Sequence, residues 1–197
     1  MSELTSRHDD ALVFLDEHDD QHLGLRMQAN WRILIVDDDP DVHSATMFAL
    51  GNLEIQKRKL SFLHAYSGLE AKGILANETD IAVILLDVVM EHEGAGLSLV
   101  NYVRNDLNLK DVRIILRTGQ PGYAPEMDAI RDFDINDYKT KSELTRTKLF
   151  TAVTTAIRSY EQICSISANR RGLEMVIRAS TELMSIKGLQ NFSNAIL

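Results

Sequence analysis

Four stretches of this chain end an apolar run with a group that can do chemistry. "ILIVDDDPDVH", residues 33–43, runs four apolar residues into Asp37, Asp38 and Asp39. "AVILLDVVM" brings Asp87 to the end of a second run, with no acidic neighbour beside it. "IILRT" ends in Thr118, and "INDYKTK" leads to Lys141. Adjacent carboxylates repel and raise one another's pKa, so the first stretch asks for a cation. Mg2+ suits it, because that ion takes hard oxygens and often only one or two carboxylates, with phosphate and water completing its octahedron. Asp37 and Asp38 can supply those oxygens. An isolated Asp87 is placed to act as a nucleophile on phosphorus. Phosphoryl transfer spreads negative charge over three oxygens and depends mostly on positioning and electrostatics. Mg2+ would meet one oxygen, Lys141 a second and Thr118 the third.

Taken singly, such residues mean little. A strand-end Asp commonly forms a turn or caps a helix, and a lone Lys is usually a solvated charge. Their joint meaning depends on the elements that carry them. "RILIVD", "LSFLHAY", "IAVILLD", "VRIILRT" and "INDYK" read as five strands, mostly apolar without alternation. Between them run helical patterns. Residues 40–50 have Pro40 in the first turn and Gly51 past the end, and residues 67–78 open on a Ser67/Glu70 capping box. Residues 96–107 and 124–133 are shorter helical stretches, and a long one starts at Ser142. Five apolar strands alternating with helices imply a doubly wound parallel sheet covered on both faces. Ligands in such folds sit beyond the carboxyl ends of the strands, where all five groups fall.

Residues 31–160 resemble the receiver domain of two-component response regulators, in "ILIVDDDPDV", "VILLDVVM", "IILRTGQ" and "DYKTKSEL". The resemblance implies an α/β, flavodoxin-like, doubly wound five-stranded parallel sheet with an extended C-terminal helix. It implies that Asp87 accepts a phosphoryl group from a sensor histidine kinase or a phosphotransfer protein. Asp37, Asp38 and Asp87, with the backbone carbonyl of Val89, would hold Mg2+. Thr118 and Tyr138 would be the switch residues, and Lys141 would pair with the phosphate. Such a domain is a switch that catalyses only its own phosphorylation and dephosphorylation, so it is not an enzyme in the ordinary sense. Ser142 stands where receivers usually have Pro, Glu91 replaces a Pro in the loop after Asp87, and Gly119 follows Thr118. "LRTGQPG", "DINDYKTKSELT" and "SYEQI" narrow the likeness to regulators with a GAF-like middle domain, often ending in an HD-GYP phosphodiesterase for cyclic di-GMP. Two other readings stand beside this one. A pseudo-receiver would serve only for docking or dimerisation. A haloacid-dehalogenase-like phosphatase would use the D-x-D spacing within residues 37 to 39.

The rest of the chain bounds the setting. Its 197 residues are 45% hydrophobic and 25% charged, with net charge −8, which suits a globular body and argues against DNA binding. The single cysteine, Cys164, excludes an internal disulfide framework. No apolar run is long enough to span a membrane and the start is acidic, so the expected location is cytoplasmic. Residues 1–30 read as an acidic arm, 31–145 as the receiver, 146–187 as a signalling helix and 188–197 as the start of a truncated downstream domain. Phe150, Val153, Ile157, Tyr160, Ile163, Ile166, Leu173, Ile177 and Met184 recur at helical spacing. That stripe suggests a homodimer through the C-terminal helix, centred on residues 146–184.

Overall fold

The computed structural model describes residues 30–92, 94–119, 135–140 and 145–196; the side chains of residues 138–140 and 185–196 fall outside the description. The chain runs β1 (Trp31–Val36), α1 (Pro40–Leu50), β2 (Glu54–Ile55), β3 (Arg58–Ala65) and α2 (Gly68–Asn77). It continues with β4 (Ile81–Asp87), α3 (Ala95–Asn101), β5 (Arg113–Thr118), β6 (Asp137–Thr140) and α4 (Arg146–Ile196). A π-helical turn over Tyr102–Asp106 extends α3. The acidic arm and the helix expected over 124–133 lie outside the described residues.

The expected parallel strands stand in the order β3, β1, β4, β5, β6. β4 and β5 are buried along their whole length, as strands covered on both faces must be. The two-residue strand β2 was not expected. It pairs antiparallel with β3 at the sheet edge, making six strands. Its turn places Gln56 at φ 52° and Lys57 at φ 62°. Two consecutive positive φ values make a tight hairpin turn, usually signalled by Asn-Gly. Neither residue is present here, so the sequence carries no local mark of it.

Two apolar layers hold the sheet. On one face Ile33, Ile35, Leu85 and Ile115 pack with Leu50 of α1 and Leu149, Val153, Ala156 and Ile157 of α4. On the other, Val36, Leu86 and Leu116 pack with Ala71 and Leu75 of α2 and Leu99 and Val100 of α3. The helix starts follow the local chemistry. The Asp39 carboxylate accepts from the Asp41 amide and Pro40 occupies the first turn of α1. At α2 the capping box is closed: Ser67 Oγ accepts from the Glu70 amide, and Glu70 Oε2 accepts from the Tyr66 amide.

α4 is 51 residues long, about 75 Å at the usual rise. The apolar stripe read from the sequence divides along it. Val153 and Ile157 are buried against the chain's own sheet, with Phe150 and Tyr160 packed beside them. Trp31 anchors this seat: its Nε1 donates to the Ile55 carbonyl, Arg58 lies over its ring, and Tyr160 meets it edge-on. Further along, Ile166, Leu173, Ile177 and Met184 are 64–75% exposed. The helix continues through Gly188, so no break in secondary structure marks the expected boundary there.

Gly96, in the first turn of α3, is where this helix meets the end of β4. A Cβ built on it would lie 2.2 Å from the Asp87 carbonyl oxygen and 2.8 Å from Val88 Cα. Both neighbours are backbone, so the strand end would have to move. Gly96→Ala is expected to destabilise the fold by about 2 kcal/mol, read from urea unfolding midpoints. An unchanged midpoint would mean that this contact is not present in solution.

Candidate functional site

Strand register brings the acids together. Val36 pairs with Ala65 on one side and Leu86 on the other, while Asp87 pairs with Arg117. Asp37, one residue beyond Val36, therefore stands beside Asp87. Register partners in parallel strands point to the same face. Residues 37, 87 and 117 thus form one row at the carboxyl edge of the sheet, on the side covered by α1 and α4. β1 also sits at the topological switch point, with β3 on one flank and β4 on the other.

The three adjacent aspartates have three different surroundings. Asp37 is fully buried, and its Oδ1 accepts from the Asp39 amide. Asp38 is exposed. Asp39 is spent on the cap of α1. Ligand atoms of Asp37, Asp38 and Asp87 lie within 4.8 Å of one another. Hard carboxylate oxygens so close, two of them buried, form a donor set that can hold a divalent cation. Asp87 Oδ1 accepts from the Val89 amide, which turns the loop after β4 back over the carboxylate.

Two groups at this site carried no signal of their own in the sequence. In the sequence Arg117 is one more residue of the run "IILRT". Its side chain is 3% exposed, and its Nη2 lies 3.6 Å from Asp37 Oδ2. Nη1 donates to the Thr46 hydroxyl of α1 at 3.0 Å. Burial pushes its pKa down, and Asp37 and Asp87 oppose that shift. The other is His43, buried in α1. Its Nε2 lies 2.8 Å from the Asp37 carbonyl oxygen, which can only accept, so Nε2 carries the proton. Nδ1 of a neutral His43 then accepts from His64 Nδ1, 2.9 Å away. The Tyr66 ring lies over His43, with centroids 4.3 Å apart. This chain of contacts fixes the backbone of the Asp37 turn. His43 stands one helical turn after Pro40, and that place has meaning only once β3, which carries His64, is known to lie alongside.

Thr118 is fully buried at the end of β5, one residue beyond the partner of Asp87. Val89 is partly buried two residues after Asp87. Tyr138 lies in β6, paired with Leu116, and its side chain is outside the description. Lys141 lies outside the described residues. Three of the expected groups are thus gathered into one cluster, and Thr118 ends the adjoining strand.

Solved structures share this architecture. A CheY-like response regulator receiver domain protein from Methanospirillum hungatei is 20% identical, covering 68% of this chain and 98% of that one, at TM-score 0.55. The signal receiver domain of an HD domain-containing protein from Pseudomonas fluorescens gives 20% identity, the same coverages and TM-score 0.57. The described body of this chain is a domain of the receiver fold, as its motifs implied. A curated relative, the 3'3'-cGAMP-specific phosphodiesterase 2 of Vibrio cholerae, is 43% identical over 177 residues, 90% of this chain. Those residues are 34% of the relative, so the chain spans about a third of its length. Residues 153–197, from within α4 onward, match a family model described as "Domain of unknown function (DUF3369)". No described helix is long and apolar enough to cross a membrane.

Asp38 is the exposed member of the cluster and contributes to no buried contact in the description. Asp38→Ala should weaken Mg2+ binding about tenfold or more while leaving the fold intact. Calorimetric titration measures it, and equal affinity in the variant would remove Asp38 from the donor set.

Proposed function

We propose that this chain is a response regulator receiver that takes a phosphoryl group onto Asp87 and relays the change through α4. The observation that carries the reading is the gathering of Asp37, Asp38 and Asp87 within 4.8 Å at the carboxyl edge of a receiver-fold sheet. The donor is a phosphohistidine on a sensor histidine kinase or a phosphotransfer protein. A carboxylate oxygen of Asp87 attacks phosphorus, the P–N bond breaks, and the electron pair leaves on the imidazole nitrogen. Water later cleaves the acyl phosphate, releasing inorganic phosphate and returning the carboxylate.

Asp37, Asp38, Asp87 and the Val89 carbonyl would hold Mg2+, which when bound offsets charge on the phosphoryl oxygens. The Val89 amide donates to Asp87 Oδ1 and steadies the carboxylate at the end of β4. In this reading Lys141 pairs with a phosphoryl oxygen and the Thr118 hydroxyl donates to another. Drawing Thr118 inward opens room for Tyr138 and biases the segment between β5 and β6. The domain sits in the cytoplasm, binds no nucleic acid, and makes no contact with a membrane.

The output lies beyond residues 31–145. The exposed half of α4 keeps a heptad: Ile163, Arg170, Ile177 and Met184 alternate with Ile166, Leu173 and Ser180 at seven-residue repeats. Because Val153 and Ile157 are already covered by the sheet, pairing with a second copy falls to the part after Tyr160. Two parallel helices would carry the receiver's state along the dimer to a downstream domain. The relative from Vibrio cholerae suggests that the whole protein is a phosphodiesterase of a cyclic dinucleotide.

Acetyl phosphate with Mg2+ should label the chain, and Asp87→Asn should remove the label without unfolding it. Undiminished labelling of that variant would sink the assignment. Light scattering should give a dimer for the 197 residues, and Ile166→Glu with Ile177→Glu should give a monomer. A monomeric parent at tens of micromolar (an ordinary loading concentration) would refute dimerisation through α4.

A further inference from the structure

Arg117 is an unusual guest for a central strand. β5 is buried at every position, and an arginine there must desolvate a permanent charge. Register explains its place: it stands beside Asp87 of the neighbouring strand β4 and reaches across β4 to Asp37. Among the described residues its only hydrogen bond is from Nη1 to the Thr46 hydroxyl, and Nε and Nη2 make none. What offsets its burial is therefore the charge of the row it belongs to. Arg117 thus shares a face with Asp37 and Asp87, and its other end meets Thr46 of α1.

We propose that Arg117 is the resident counter-charge of the acidic cluster: it holds the buried Asp37 carboxylate in place and limits how tightly a divalent cation binds there. The inference rests on the metal-binding reading given above. With Arg117 in place, one carboxylate of the three is already matched. An arriving dication meets less net negative charge and a like charge within the same row. Metal binding is then weaker than three carboxylates alone would make it. Adding a doubly negative phosphoryl group restores the deficit, so the metal and the phosphoryl group reinforce each other at this site. Arg117 is a positioning residue in this role and touches no reacting atom.

The test compares Mg2+ binding by calorimetry in the parent, Arg117→Met and Arg117→Lys. Arg117→Met should bind Mg2+ about tenfold tighter or more, and Arg117→Lys should stay within about threefold of the parent, because it keeps the cation. The gap in melting temperature between EDTA and saturating Mg2+ should widen in Arg117→Met and not in Arg117→Lys. If Arg117→Met is unfolded in EDTA, Mg2+ should restore its circular dichroism. Equal or weaker Mg2+ binding by Arg117→Met, or failure of Mg2+ to restore its fold, overturns the inference while the parent still binds. A parent that binds no Mg2+ removes the metal site and the inference with it.

Discussion

Three carboxylates within 4.8 Å of one another, two of them buried, are the constraint around which this domain is arranged. Like charges that close cannot all ionise in a medium of low dielectric unless something opposes them. A sheet that merely packed well would not gather them. Parallel strands ending at one edge do, because each strand delivers its last side chain to the same rim. The neighbouring hydrogen bonds are spent on keeping that rim in shape. The Asp39 amide, the Val89 amide and His43 each fix a turn that leaves one of the carboxylates where it is.

Arg117 belongs to the same constraint. At an effective dielectric near 20, unit charges separated as Arg117 and Asp37 are attract by about 5 kcal/mol before desolvation is deducted. Desolvating a guanidinium costs several kcal/mol, so the net is much smaller. The pair is better understood as mutual compensation than as a strong bond: each charge lowers the cost of burying the other. Thr46 completes the arrangement by giving one guanidinium nitrogen an acceptor on α1. The acidic rim is thereby tied to the same helix that Asp39 caps.

α4 joins two environments with one element. Its first turns close the face of the sheet over Trp31, Ile33 and Ile35, and its later turns expose an apolar stripe that Arg170 and Ser180 interrupt. The Arg170–Glu174 and Arg178–Glu182 pairs lie within that exposed stretch and add a little helix stability, a few tenths of a kcal/mol each in water. A helix rooted in the core at one end behaves as a rigid arm. A shift of the sheet face that seats Val153 and Ile157 would be delivered, undivided, to the residues far along it.

Much of this protein could be read from residue types in order. Five apolar runs, four of them ending in Asp37, Asp87, Thr118 and the segment before Lys141, define the parallel sheet and its rim, because burial on both faces demands unbroken apolar strands. Ser67 with Glu70, and Asp39 with Pro40, mark helix starts through contacts within one turn. Other features needed the folded chain. The β2–β3 hairpin turns at Gln56 and Lys57, residues with no preference for positive φ, so only the sheet edge holds them there. Phe150, Val153, Ile157 and Tyr160 have the same spacing as the exposed stripe beyond them, and nothing local says which half meets the sheet. Arg117 looks like a surface charge in an apolar run until register sets it beside Asp87 and within reach of Asp37. Local patterns follow from a residue and its near neighbours. Register, and with it the identity of a charge's partner, comes from strands 30 to 50 residues apart, and only their pairing decides it.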